Sequence, residues 1–302
     1  MIPIIDVEFR DGQTRLYGSL RVSSHAGDCP GLVFLHGSGP ATRDDWSGEA
    51  EQLAAAGIAS LAYDKPGSGQ SEGDWAAQTF DDRAREALAA LRFLKEQSGV
   101  AAARVGLLGM SQGAWIAPMT AALSDEAAFV IALSASGTGP REQDRFRIER
   151  QLASEGLSQP ESQEALAVWD ERDEGLRRGD GVASLVAMQR AYAERPWYVH
   201  VAFDDPSVLR FIQRIWDFDP VPYLERCRCP LLAVWGADDV IVAAGESRAI
   251  FERALVKAGN GYFRLVVLPG LGHELGTEEK RVHAPRSLRA DGAVGSRSEP
   301  GA

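Results

Sequence analysis

Short apolar runs recur along the first half of the chain, and each gives way to a polar loop and then to apolar residues three and four apart. Residues 31–36 (GLVFLH), 58–63, 105–108 and 129–133 have the length and composition of buried strands. Between them, Phe80, Ala84, Leu88, Leu91 and Leu94 repeat at helical spacing, and Thr79 with Asp82 three residues on predicts a capping box at the start. Trp46, Ala50, Leu53 and Ala54 predict an earlier helix, capped by Asp44 or Asp45 and closed by Gly57. Two alternating runs, 4–9 and 16–22, flank Arg10-Asp11-Gly12-Gln13 and predict a hairpin turning at Asp11-Gly12.

The rhythm breaks at about Ser136. Residues 137–226 contain no convincing buried strand and are rich in Arg, Glu, Asp, Trp and Tyr. Within them Asp205-Pro206-Ser207 reads as a capped helix start with proline in the first turn. The alternation then resumes with a strand at 230–235, a helix carrying Ile250, Phe251, Ala254 and Leu255, and a last strand at 263–268. Strands alternating with helices predict an α/β fold with a mostly parallel central sheet and helices on both faces. Residues 1–136 and 227–275 would form this core, 137–226 a mainly helical insertion, and 276–302, poor in apolar residues, a disordered tail.

Composition narrows the function. A net charge of −11 over 302 residues argues against a nucleic-acid binder, which normally carries a basic face. No stretch approaches the 18 or so uninterrupted apolar residues of a membrane span, and MIPIIDVEFRDG lacks the basic start of a signal peptide, so a cytoplasmic location without membrane attachment is expected. Three cysteines (Cys29, Cys227, Cys229) do not make a disulfide framework, and Cys227 and Cys229 have no nearby His or Cys cluster with which to hold a metal. A dinucleotide fingerprint beginning at Gly37 would need glycine at 42, where Thr42 stands.

The chemistry centres on GMSQG (109–113). A strand, one serine between glycines in a sharp turn, and then a helix form a nucleophile elbow. The turn lifts the Ser111 hydroxyl clear of the sheet and aims the N–H groups of the helix at any anion forming there. A serine hydroxyl needs a base to take its proton, and the base needs an orienting carboxylate. In an open parallel sheet such groups lie just beyond the carboxyl ends of strands. Of the five histidines, His273 alone sits in a short glycine-rich loop after the last strand; His25, His36, His200 and His283 do not. Asp238 and Asp239 both follow the strand at 230–235. Asp239 is favoured as the acid, with Asp238 the second choice. Asp64 also ends a strand but reads as structural, closing a turn onto Lys65 or local amides. The backbone N–H groups of Gln112 and Ser38 are the candidate oxyanion donors. Trp169, Trp197, Tyr198, Phe211 and Trp216 either line a substrate pocket or form the core of the insertion.

Five ordered motifs, LVFLHGSGP (32–40), AYDKPGSGQSEG (62–73), GMSQG (109–113), WGADDVIV (235–242) and LPGLGH (268–273), resemble the α/β-hydrolase superfamily. The likeness is to its dienelactone-hydrolase-like and esterase branch with a helical cap, and it covers about residues 1–275. In that family the acid is usually the third residue after the glycine of the WG motif, here Asp239. The resemblance implies a serine hydrolase of small-molecule carboxylic esters, needing neither cofactor nor metal. Thioester hydrolysis or acyl transfer, peptidase chemistry and a non-catalytic binding module on the same fold stay open, as do acyl-chain preference and oligomeric state. The family normally adds an amphipathic helix after the histidine. Residues 276–302 do not read as one, and without it apolar sheet surface would be exposed.

Overall fold

Alternation along the third strand, β3 (Cys29–Leu35), sets the layers: Val33 and Leu35 join one apolar core, Leu32 and Phe34 another, and all four are buried. A strand buried on both faces belongs in the middle of a covered sheet. The computed structural model describes residues 3–22 and 27–276. His25, His283 and the tail from 277 onward lie outside the described residues.

Among the described residues the sheet has eight strands: β3 with β1 (Ile5–Asp11), β2 (Thr14–Arg21), β4 (Ala59–Tyr63), β5 (Val100–Met110), β6 (Val130–Leu133), β7 (Leu231–Gly236) and β8 (Phe263–Leu268). Their order is β1-β2-β4-β3-β5-β6-β7-β8. The β1–β2 and β2–β4 pairs are antiparallel and every other pair is parallel. This is the mostly parallel sheet that the sequence predicts. The hairpin turns at Gly12-Gln13, one residue later than expected, because Asp11 still pairs with Thr14 and the positive φ of 57° falls to Gly12.

Helices α2 (Phe80–Lys95), α3 (Gly113–Leu123) and α10 (Ala244–Lys257) bury residues in the core that holds Val33 and Leu35. Helix α1 (Ser47–Ala55) packs on the opposite face against Leu32 and Phe34. Further along that second face Leu108, Ile131, Leu232, Val234 and Val266 are only half-buried. The capping box at Thr79 forms as predicted, with the Asp82 carboxylate accepting from Thr79 N at 2.7 Å. The earlier helix starts differently. Thr42, not Asp44 or Asp45, is the cap of a short turn, Arg43–Trp46, that leads into α1. Asp45 lies three residues inside and accepts from Thr42 N at 3.0 Å.

Between β6 and β7 lie α4 (Pro140–Ser154), α5 (Gln159–Arg178), α6 (Val182–Arg190), α7 (Tyr198–Val201), α8 (Pro206–Ile215) and α9 (Val221–Leu224). Helix α8 starts as predicted, with the Asp205 carboxylate accepting from Ser207 N at 2.7 Å. Trp169, Trp197, Tyr198 and Trp216 are packed into a separate core inside this segment, while Phe211 turns toward the main core. They are therefore packing residues. A buried ionic centre fixes the orientation of Trp169: the Asp144 carboxylate accepts from the Trp169 indole at 2.8 Å and from Arg147 and Arg172. Burial raises the Asp144 pKa, but the two guanidinium groups outweigh it and hold the carboxyl below its ordinary range. Among the described residues no helix is long and apolar enough to cross a membrane.

Candidate active site

The turn between β5 and α3 holds Ser111 at φ 53°, a left-handed conformation that costs a non-glycine residue about 1 kcal/mol or more. Its neighbours hold it there. Ser111 N donates to Leu133 O at 2.9 Å, and Ala114 N donates back to Ser111 O at 2.9 Å. The flanking glycines are steric requirements. A Cβ on Gly109 would lie 1.9 Å from Gly113 O, and one on Gly113 would lie 2.1 Å from Leu35 O. The elbow is thus pressed against the end of β3, the strand that leads into His36-Gly37-Ser38.

His273 Nε2 lies 3.0 Å from Ser111 Oγ, and its Nδ1 lies 2.8 Å from Asp239 Oδ2. A carboxylate only accepts, so the tautomer that fits both contacts carries its proton on Nδ1 and leaves Nε2 free to accept from Ser111. The other oxygen of Asp239 accepts from Ile241 N at 2.8 Å and Val242 N at 2.9 Å, and its side chain is fully buried. Asp238 next to it is exposed. The structure therefore brings Ser111, His273 and Asp239 into one chain of contacts.

Three features seat the His273 loop against the ends of β6 and β7. Asp238 N donates to Leu271 O at 2.9 Å. Gly236 leaves room for that loop, since a Cβ there would lie 2.2 Å from Leu271 O and 2.4 Å from Gly272 O. Ser134, itself at φ 50° after β6, donates from Oγ to His273 O at 2.5 Å. Sequence reasoning missed Ser134; a lone serine after a strand carries no signal of its partner.

The residues of the two candidate oxyanion donors touch through their side chains. Gln112 Nε2 donates to Ser38 Oγ at 3.2 Å, and a Cβ on Gly37 would lie 3.6 Å from the Ser111 Cβ. Ala114 N and Trp115 N are taken up by Ser111 O and Gln112 O, whereas the N–H of Gln112, the residue before α3, meets no acceptor among the described residues. Asp64 is structural, as expected: its carboxylate accepts from Arg43 N at 2.8 Å and Gln70 N at 2.9 Å.

His36 lies behind this loop and is only 3% exposed. Its Nε2–H donates to Tyr63 O at 2.8 Å, and its Nδ1 accepts from the Trp46 indole at 3.0 Å. The Trp46 contact needs a lone pair on Nδ1 and so demands the neutral ring. Burial, with smaller contributions from Lys65 and Arg83, pushes its pKa down to about 3 from 6.5, against the opposing pull of the Tyr63 carbonyl. A depressed folded-state pKa means that the unfolded chain binds the proton first. Stability from this group is therefore whole above pH 6.5 and is lost as pH falls from 6.5 toward 3, at about 1.4 kcal/mol per pH unit. Urea unfolding at pH 7 and pH 5 should show wild type losing about 2 kcal/mol more than His36→Gln, which has no proton to bind. Equal losses in the two proteins would show that His36 is not held neutral.

Comparison with known proteins follows the same lines. A family model described as the Alpha/beta hydrolase family matches residues 32–284. No curated protein sequence matches the chain. Among solved structures it is similar to the esterase PF2001 of Pyrococcus furiosus, at 19% identity and a TM-score of 0.60, over 89% of this chain and 83% of that one. It is similar to Est1E from Butyrivibrio proteoclasticus with ferulic acid bound, at 18% identity and a TM-score of 0.57, over 91% and 94% of the two chains. It is also similar to the hydrolase GrgF from Penicillium sp. sh18, at 20% identity and a TM-score of 0.60, over 93% and 96%. At these identities the likeness is one of fold.

Proposed function

The chain belongs to the α/β-hydrolase family, and from that premise we propose that it is a serine hydrolase that cleaves small-molecule carboxylic esters. The observation that carries this reading is the relay from Ser111 Oγ to His273 Nε2 at 3.0 Å and from His273 Nδ1 to Asp239 Oδ2 at 2.8 Å. In the proposed cycle Ser111 Oγ attacks the ester carbonyl while His273 Nε2 takes its proton. Asp239 holds the ring and stabilises the imidazolium. The carbonyl oxygen becomes an oxyanion held by the N–H groups of Ser38 and Gln112. Collapse breaks the bond to the alcohol, which leaves with the proton from His273. Water, activated by the same nitrogen, then adds to the acyl-enzyme and releases the carboxylic acid.

Esters rather than other acyl compounds are favoured by two fold neighbours: one is named an esterase, and the other holds ferulic acid, a carboxylic acid of the kind that ester hydrolysis releases. The test is a nitrophenyl ester series from acetyl to decanoyl, run beside a fluorophosphonate probe. Wild type is expected to turn over part of the series and to carry the phosphonate on Ser111, located by peptide mass spectrometry. Folded protein that neither turns over any ester nor takes the label overturns the reading.

A further inference from the structure

Lys65 is a buried lysine with no carboxylate in contact among the described residues. It follows β4, is 1% exposed, and its Nζ lies over the Trp75 ring, 5.4 Å from the centroid. Nζ donates to Gly37 O at 3.0 Å and to Gly39 O at 2.7 Å, and it lies 3.5 Å from Gln112 Oε1. The first two acceptors bracket Ser38. The third belongs to the residue after the nucleophile, whose Nε2 in turn holds Ser38 Oγ at 3.2 Å. One ammonium group therefore ties together the two backbone segments that carry the proposed oxyanion donors.

We propose that Lys65 is a positioning residue that shapes the oxyanion hole, clamping the Gly37 and Gly39 carbonyls so that the Ser38 N–H is held in place before substrate arrives. The inference rests on the reading of Ser38 and Gln112 as oxyanion donors. Its physical basis is that a peptide unit has little freedom once its carbonyl is fixed. Pinning the carbonyls on both sides of Ser38 restricts the rotation that would otherwise turn its N–H away. Three acceptors also match the three donors of an ammonium group, whereas a neutral amine has only two. Burial and nearby Arg83 push the Lys65 pKa well below its ordinary value, while Glu86 acts in the opposite direction.

The sequence gives little hint of this. Lys65 stands in the KPGSG loop beside Asp64, where the plain expectation is a local ion pair. Instead Asp64 is satisfied by backbone amides, and Lys65 reaches across to the β3 loop.

The test uses Lys65→Met, which keeps the length of the stem and removes the donors. On a short-chain nitrophenyl ester, kcat is expected to fall about 100-fold with KM within threefold of wild type. A trifluoromethyl ketone, which forms an oxyanion on Ser111, should lose affinity by the same factor as kcat/KM. The corresponding secondary alcohol, which forms none, should bind as before. Lys65→Met that is folded by near-ultraviolet circular dichroism and keeps both kcat and ketone affinity overturns the inference. So does an equal loss of affinity for ketone and alcohol, which would mark a merely structural role. If Lys65→Met does not fold, Gln112→Leu takes its place, since it keeps the backbone donor and cuts the tether to Ser38. It should lower kcat and ketone affinity together by about 10-fold, and unchanged values overturn the inference. Absence of turnover and of phosphonate labelling in wild type would instead sink the hydrolase reading itself, so the two failures are distinguishable.

Discussion

Ser111→Ala is expected to lower ester turnover by about 10⁵-fold while leaving KM within a few-fold of wild type. The size follows from the contact chain. Ser111, His273 and Asp239 touch in series, so they act as one unit, and loss of the nucleophile leaves only positioning and the oxyanion donors. Two companions make the argument sharper. His273→Ala should fall into the same range, and the double variant should be no worse than either single one, because the second change removes a part that has already lost its use. Independent contributions would multiply instead and take the double variant far below both. Ser111→Gly separates chemistry from folding. Residue 111 sits at φ 53°, so glycine relieves the backbone strain and should raise unfolding stability by about 1 kcal/mol while turnover stays abolished. Turnover surviving in Ser111→Ala, measured on protein free of wild type, would remove Ser111 from the chemistry.

Much of this arrangement was legible in the chain because each part has a local signature. Buried strands have a length, helices have a spacing, and a serine elbow needs glycines at fixed offsets. The strand at 263–268 is found where it was predicted, and so is the capping box at Thr79. The residues that link parts to one another were less visible. Ser134 and Lys65 hold loops that lie 139 and 26 to 28 residues away in the chain, and no local pattern encodes such a pairing. His36 stands outside the loop after the last strand and carries no sequence signal of its role, yet its neutral ring ties β3 to β4 and to Trp46. Asp238 and Asp239 could not be separated firmly by type or position alone. In the fold the chain turns at Gly236, which exposes Asp238 and leaves Asp239 buried against His273. Tertiary geometry made that choice.

Gly113→Ala pits two known effects against each other, and their magnitudes decide the sign. Gly113 opens helix α3, where alanine is favoured over glycine by about 1 kcal/mol on propensity alone. Against this, a Cβ at 113 would lie 2.1 Å from Leu35 O, 2.7 Å from Leu35 C and 2.9 Å from His36 O. These are backbone atoms in the middle of a buried strand end, so they cannot swing aside as a side chain could. Relief requires β3 and the elbow to separate, at a cost of about 3 kcal/mol or more, which outweighs the propensity gain. Gly48→Ala in helix α1 is the matched control: a Cβ there meets nothing within 4 Å, so it should raise stability by about 0.5 to 1 kcal/mol. The functional loss in Gly113→Ala should exceed what unfolding explains. Pushing Leu35 and His36 off the elbow also moves Gly37 and Ser38, whose loop approaches the Ser111 side chain, and so displaces a proposed oxyanion donor from its nucleophile. Turnover per folded molecule should then fall about 100-fold or more, measured at a temperature where urea titration shows the variant still native. A variant as stable as wild type would mean that the elbow and β3 are not pressed together as described. A variant that is destabilised but fully active per folded molecule would mean that the Ser38 loop does not depend on that contact.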